Sequence, residues 1–124
     1  MMIYCARIVA IGLFVADGLT DKMLITFDSS GPKDCLDYSL SLEPSIREET
    51  LMILPGDRLM LASHNYLVTA VGKEAQQSLF ELGHLTMVFN GSLNACHARA
   101  IHLSGPVPKL RDLYGNLLIE EGRP

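Results

Sequence analysis

The chain lacks most of the features that announce a function directly. It has no long run of like charge, and its formal net charge is −4. A phosphate backbone needs clustered Lys and Arg, so nucleic acid is not an expected partner. No GxxxxGK[ST] or GxGxxG follows an apparent strand, and no nucleophile elbow around a serine is present, which leaves no signal for a nucleotide fold or a serine hydrolase. Cysteine is scarce: Cys5, Cys35 and Cys96 are odd in number and far apart, which suits a reducing cytoplasm better than a disulfide framework. Cys96, His97 and His102 do not have zinc-ligand spacing and lack a fourth partner, so no metal is expected. The apolar run IVAIGLFVA at 8–16 is too short to span a bilayer as a helix. It resembles a short secretory core, but a buried strand broken at Gly12 accounts for it better. No repeat, low-complexity tract, linker or sustained heptad divides the chain.

What is present fits one globular domain over residues 1–124, with 48% hydrophobic and 19% charged residues and enough length to bury a core. Ile3–Ile11 is rich in Ile, Val, Ala and Tyr and reads as a first strand. Residues 12–22 carry turn chemistry, with room for one helical turn around Val15. Met23–Phe27 reads as a second strand and DSSGPKD at 28–34 as a loop. Leu36, Tyr38, Leu40 and Leu42 alternate with Asp37, Ser39 and Ser41, the pattern of a half-buried strand. Residues 43–50, with Pro44, read as a surface connection. Leu51–Leu54 reads as a short strand before a Pro55-Gly56-Asp57 turn.

Residues 59–91 form the organising stretch. Leu59–Ala62 and Leu67–Val71 read as strands joined by a turn at His64-Asn65. Ala75, Leu79 and Leu82 share a helical face, and Gly83 stands where a left-handed cap is needed. Leu85, Met87 and Phe89 form the next strand's apolar face, and Asn90-Gly91 a turn. Residues 92–99 are loop or bulged strand. Ala100–Leu103 is a short strand, Leu117–Ile119 one that could close the sheet, and 120–124 a frayed tail. Many short strands with Gly and Pro punctuation predict an all-β, barrel-like or sandwich fold with one short helix near residues 74–82. Short, weakly charged edge strands leave a sheet-edge homodimer open.

VTAVG at 68–72, ELGHLTMVFNG at 81–91 and IHLSGPVP at 101–108, with MLITF at 23–27 followed by Gly31-Pro32 and Asp34, resemble the glucitol/sorbitol-specific enzyme IIA component of the phosphoenolpyruvate-dependent sugar phosphotransferase system. The resemblance implies a cytoplasmic barrel that takes a phosphoryl group from the carrier protein HPr onto a histidine. It then passes the group toward a IIB domain of the sugar permease (IIB/IIC), with no cofactor. A neutral imidazole suits this task, because it is nucleophilic near pH 7 and its N–P bond is labile. The family's acceptor falls on Leu42 when the sequences are aligned on Tyr38. No histidine lies between Asp28 and Ser63. Either another histidine does the work, or the relay is lost and the fold serves as a protein- or ligand-binding regulatory module. Of His64, His84, His97 and His102, His84 is the candidate acceptor. It lies within the matching LGHLT, just past a helix C-terminus whose dipole is expected to raise its pKa; capping that helix is the plain alternative. His64, as a turn residue, and His102, as a residue on the outer strand face, are the candidate phosphate contacts.

Overall fold

The computed structural model describes residues 1–122. Eight strands close into a barrel: β1 (Met2–Ile11), β2 (Met23–Asp28), β3 (Ser39–Arg47), β4 (Arg58–Leu61), β5 (His64–Val71), β6 (Leu85–Val88), β7 (Ala100–Ser104) and β8 (Asn116–Glu120). Around the barrel they run β1-β3-β2-β6-β7-β5-β4-β8, and β8 returns to β1. The β2–β3 and β6–β7 junctions are parallel and the remaining ones antiparallel. Three short helices interrupt the strands: α1 (Val15–Thr20), α2 (Lys33–Leu36) and α3 (Ala75–Leu82); a 3₁₀ turn covers Leu110–Asp112.

Period-two alternation points one side chain in two inward. Tyr4 and Ala6 of β1, Leu24 and Thr26 of β2, Leu40 and Leu42 of β3, Leu59 and Leu61 of β4, and Leu117 and Ile119 of β8 are all buried. Each large aliphatic side chain taken out of water this way contributes about 1.5–3 kcal/mol. Helix α3 adds Ala75 and Leu79 to the same core, and Phe80 stacks on Tyr4 with ring centroids 5.8 Å apart.

Several boundaries differ from the sequence reading. Residues 33–36 form α2, so β3 begins at Ser39 and Tyr38 is exposed. Ser39 and Ser41 are buried as well, and the Ser39 hydroxyl is satisfied by the Cys35 carbonyl at 2.7 Å. The supposed connection at 43–50 is strand as far as Arg47. Pro44 is tolerated there because β3 has passed the end of β2 and a register shift interrupts its pairing with β1. Residues 51–54 form no strand. Their polar backbone is met by side chains instead: Gln76 accepts from the Ile53 N–H at 2.8 Å and donates to the Leu51 carbonyl at 2.7 Å. Asp57 accepts from the Leu54 N–H at 2.8 Å.

The hairpin turn is Ala62-Ser63 rather than His64-Asn65, and Ala62 has φ 54°. A positive φ at the first of two central residues matches the right-handed twist of a hairpin, and His64 and Asn65 are then the first residues of β5. Residues 92–99 are irregular, and β8 extends through Glu120 into the expected tail; of that tail, Arg123 and Pro124 lie outside the described residues. With the barrel closed, a free sheet edge is left where β3 runs past Leu42 on its β2 side.

Candidate functional site

Helix α3 ends because Gly83 adopts φ 65° and turns the chain back onto the barrel. A side chain there would meet the Asp28 backbone nitrogen at 2.5 Å. The Gly83 N–H bonds the Leu79 and Ser78 carbonyls, and the His84 N–H bonds the Ser78 carbonyl at 3.3 Å. The helix end is thus capped by backbone, and the His84 ring is left for other contacts. It lies on Phe27, with centroids 5.2 Å apart and planes at 30°. It forms one wall of a cleft of about 310 Å³ between β2, α2 and the start of β6, lined also by Ile25, Cys35, Tyr38 and Ser39.

Contrary to the dipole expectation, the His84 pKa is lowered. Burial is the largest cause, followed by the positive Arg99 and then His97. The reason is local: desolvation penalises the charged ring, and the neighbouring positive charge adds to that penalty. At pH 7 His84 is therefore a neutral imidazole, half-buried at the wall of an open cleft. Arg99 and His97, which the sequence reading did not connect with it, approach from the loop before β7. The only hint of them in the sequence is the short spacing from that loop to the IHLSGP piece.

His102 is not on the surface. Its position opposite Ile101 and Leu103 does turn it away from the barrel core, but the loop after β6 covers it and leaves it 1% exposed. Its Nε2 accepts from the Cys96 N–H at 2.9 Å, which makes Nδ1 the protonated nitrogen, donating to Asn90 Oδ1 at 2.8 Å. Thr69 adds a bond to the Ser92 carbonyl at 2.7 Å. Both imidazole nitrogens are occupied, so His102 fastens a loop and has no free atom for phosphate. His64 heads β5, with Nε2 3.4 Å from Asp112 Oδ2. The three histidines therefore do not converge on one site. Among the described residues no group of three or more His, Cys, Asp or Glu could hold a metal ion.

Leu42 is fully buried in the core. In the sheet it lies between Ile8 and Asp28, and its carbonyl accepts from the Ser29 N–H at 2.8 Å. The β2–β6 register, which pairs Thr26 with Leu85, continues to bring Asp28 beside Gly83. His84 and position 42 thus share one rim of the barrel, roughly 10 Å apart at two strand spacings. Leu42 points inward. His84 sits against Ile25, Phe27 and Ser39, which alternate with inward residues and so face outward. On the inner side, the Tyr4 hydroxyl is buried with no hydrogen-bond partner among the described residues. Burial pushes its pKa up, the Arg47 guanidinium opposes this, and the Asp28 carboxylate adds to it.

The closed barrel defines a class that contains the PTS system IIA component from Enterococcus faecalis V583. That crystal structure matches with a TM-score of 0.73 at 22% identity, covering 94% of this chain and 98% of its own. Within the class, residues 3–117 match the family model described as the PTS system glucitol/sorbitol-specific IIA component. PTS system glucitol/sorbitol-specific EIIA components of Escherichia coli K12 and Shigella flexneri are each 39% identical over 107 residues, 86% of this chain and 85% of theirs. The chain belongs to the glucitol/sorbitol-specific IIA family.

Proposed function

We propose that this IIA component carries its phosphoryl group on His84, having lost the acceptor at position 42. One observation carries the reading: His84 is the family-motif histidine that is both neutral at pH 7 and open to a cleft. It also lies at the same rim as Leu42. A nucleophile for phosphoryl transfer needs an unprotonated nitrogen and a surface that an incoming protein can reach. A ring nitrogen of His84 attacks the phosphorus of the donor's phosphohistidine. The new N–P bond forms as the donor's N–P bond breaks. The proton shed by the other nitrogen of His84 is balanced by the one the departing donor imidazole takes up. Arg99 supplies positive charge to the phosphoryl oxygens. HPr is the donor and a IIB domain the recipient, in the cytoplasm.

A second reading is a regulatory module without a relay, and the complete burial of Leu42 favours it: the family's acceptor position is packed as core. One reconstitution separates the two. The protein is mixed with phosphoenolpyruvate, enzyme I and HPr, and intact mass and peptide mapping are read. One acid-labile phosphoryl group on His84, absent from His84→Gln, supports the relay. No label, while a family member with the acceptor histidine is labelled, supports the regulatory module. A label on another residue overturns the assignment to His84.

A further inference from the structure

Helix α3 and the loop before β7 enclose a small polar cavity of about 110 Å³, large enough for a molecule of several heavy atoms. Glu74, Ser78 and Leu82 stand one turn apart on the side of the helix that lines it. Gln77 and Glu81 lie beside them, and Arg99, from the loop, forms the other wall. Ser78 is 5% exposed, and its hydroxyl is buried with no hydrogen-bond partner among the described residues. A serine within a helix can turn its hydroxyl back onto the carbonyl of the preceding turn, and here that bond is not made. A buried hydroxyl without a partner, beside a polar cavity, is a group that a polar molecule would satisfy.

The charges on the walls define the molecule. Among the described residues Arg99 has no ion pair, although Glu74 and Glu81 line the same cavity. Gln77 Nε2 donates to Glu81 Oε1 at 3.2 Å, which holds that carboxylate at the cavity's edge. One guanidinium and two carboxylates therefore face each other across the cavity without touching. A simple cation would be opposed by Arg99, and a simple anion by both carboxylates. A small molecule that carries an ammonium and a carboxylate suits all three: its carboxylate fits the planar fork of Arg99, and its ammonium lies between Glu74 and Glu81.

We propose that this cavity binds a small zwitterion of the α-amino-acid class, its carboxylate on Arg99 and the Ser78 hydroxyl and its ammonium on Glu74 and Glu81. The site is connected to His84. After burial, Arg99 and then His97 are the positive groups that hold the His84 pKa down. A ligand carboxylate on Arg99 offsets the larger of these charges, so His84 titrates at higher pH with the ligand bound. Where His84 carries the phosphoryl group, the same occupant competes with the phosphoryl oxygens for Arg99 and slows transfer. That last consequence rests on the relay reading; the site does not.

The test is an NMR titration of isotope-labelled, unphosphorylated protein with three probes: glycine, ethanolamine, which lacks the carboxylate, and propionate, which lacks the ammonium. We expect glycine to bind with a millimolar dissociation constant and to shift the amides of Ser78 and Arg99. Ethanolamine and propionate are each expected to bind at least ten-fold more weakly. Ser78→Ala, which removes one buried oxygen, is expected to lose several-fold in glycine affinity. Glu74→Gln with Glu81→Gln, both exposed, is expected to lose at least ten-fold, with circular dichroism unchanged. The His84 ring signals are followed against pH and are expected to titrate higher in saturating glycine. Absence of glycine shifts at Ser78 and Arg99 overturns the proposal, as does equal binding of glycine and either partial probe, or undiminished binding by both variants. Glycine binding that leaves the His84 titration unchanged overturns the placement of the carboxylate on Arg99. No phosphoryl group takes part in these measurements, so failure of the relay leaves them standing; any effect of glycine on transfer is read separately by mass.

Discussion

His84 and His102 both have lowered pKa values, and in both burial is the main cause, but the consequences differ. His102 is locked neutral by an accepted N–H on one nitrogen and a donated proton on the other. Protonation would turn its acceptor into a donor aimed at the Cys96 N–H. In the unfolded chain each ring titrates near 6.5. Below that pH the unfolded state binds more protons than the folded one, so folding stability falls as pH drops from about 6.5 toward the lowered folded values, and is flat above. Urea midpoints at pH 7.5 and 5.5 are expected to show this decline, and His102→Gln is expected to reduce it. An undiminished slope in that variant would remove His102 as a contributor. His102→Ala removes the acceptor of the Cys96 N–H and one of the two donors to Asn90 Oδ1, which keeps the Ser92 N–H, and its expected cost is about 0.5–1.5 kcal/mol for each hydrogen bond lost. The existence of both histidines was plain in the sequence, and their roles were not. Strand alternation gave the side of the sheet on which His102 stands. Whether that side is wet depends on a loop whose path is set by Asn90, Ser92 and Thr69, and no periodicity encodes it.

At the scale of elements, α3 and its cap were legible because the two signals agree: a helical apolar face and a glycine where the left-handed turn falls. Gly83→Ala tests that agreement. A left-handed conformation costs a non-glycine residue about 1–2 kcal/mol, and the added carbon would press on the Asp28 backbone. We expect a loss of at least that size in urea denaturation, together with altered carbethoxylation of His84, since the cap places the ring. Faster modification with unchanged stability would contradict the account. The β4–β5 hairpin was misplaced by two residues because Ala62 has no local preference for positive φ; the register of Leu59 and Leu61 against the core imposes it. Ala62→Gly is therefore expected to stabilise the protein by about 0.5–1 kcal/mol, measured as a raised urea midpoint. Residues 51–54 were misread for a related reason. A short apolar run resembles a strand until the partner of its backbone is known, and here that partner is the amide of Gln76.

At the scale of the whole molecule, closure decides the architecture, and closure depends on β8. The sequence reading assigned Leu117–Ile119 to a strand that could close the sheet, but it offered no means of knowing its neighbours. β8 in fact lies between the first strand and β4, pairing Leu118 with Cys5 on one side and Met60 on the other, and it sends Leu117 and Ile119 into the core. Contacts between chain regions so far apart are set by the packing of the whole barrel, which local pattern does not report. Removing residues 116–122 would take away two buried aliphatic side chains and open the backbone edges of both β1 and β4. Unpaired edges flanked by apolar residues recruit other chains. The truncated protein is expected to elute as oligomers or to precipitate, whereas Leu117→Asp in the full-length chain, which keeps the edges covered in the folded fraction, is expected to lower stability by several kcal/mol through a buried unpaired charge. Size-exclusion chromatography with light scattering and urea denaturation distinguish the two effects. A monomeric truncated chain with wild-type circular dichroism would mean that β1 and β4 find cover without β8, and the barrel would then have to be regarded as closed by default rather than by its last strand.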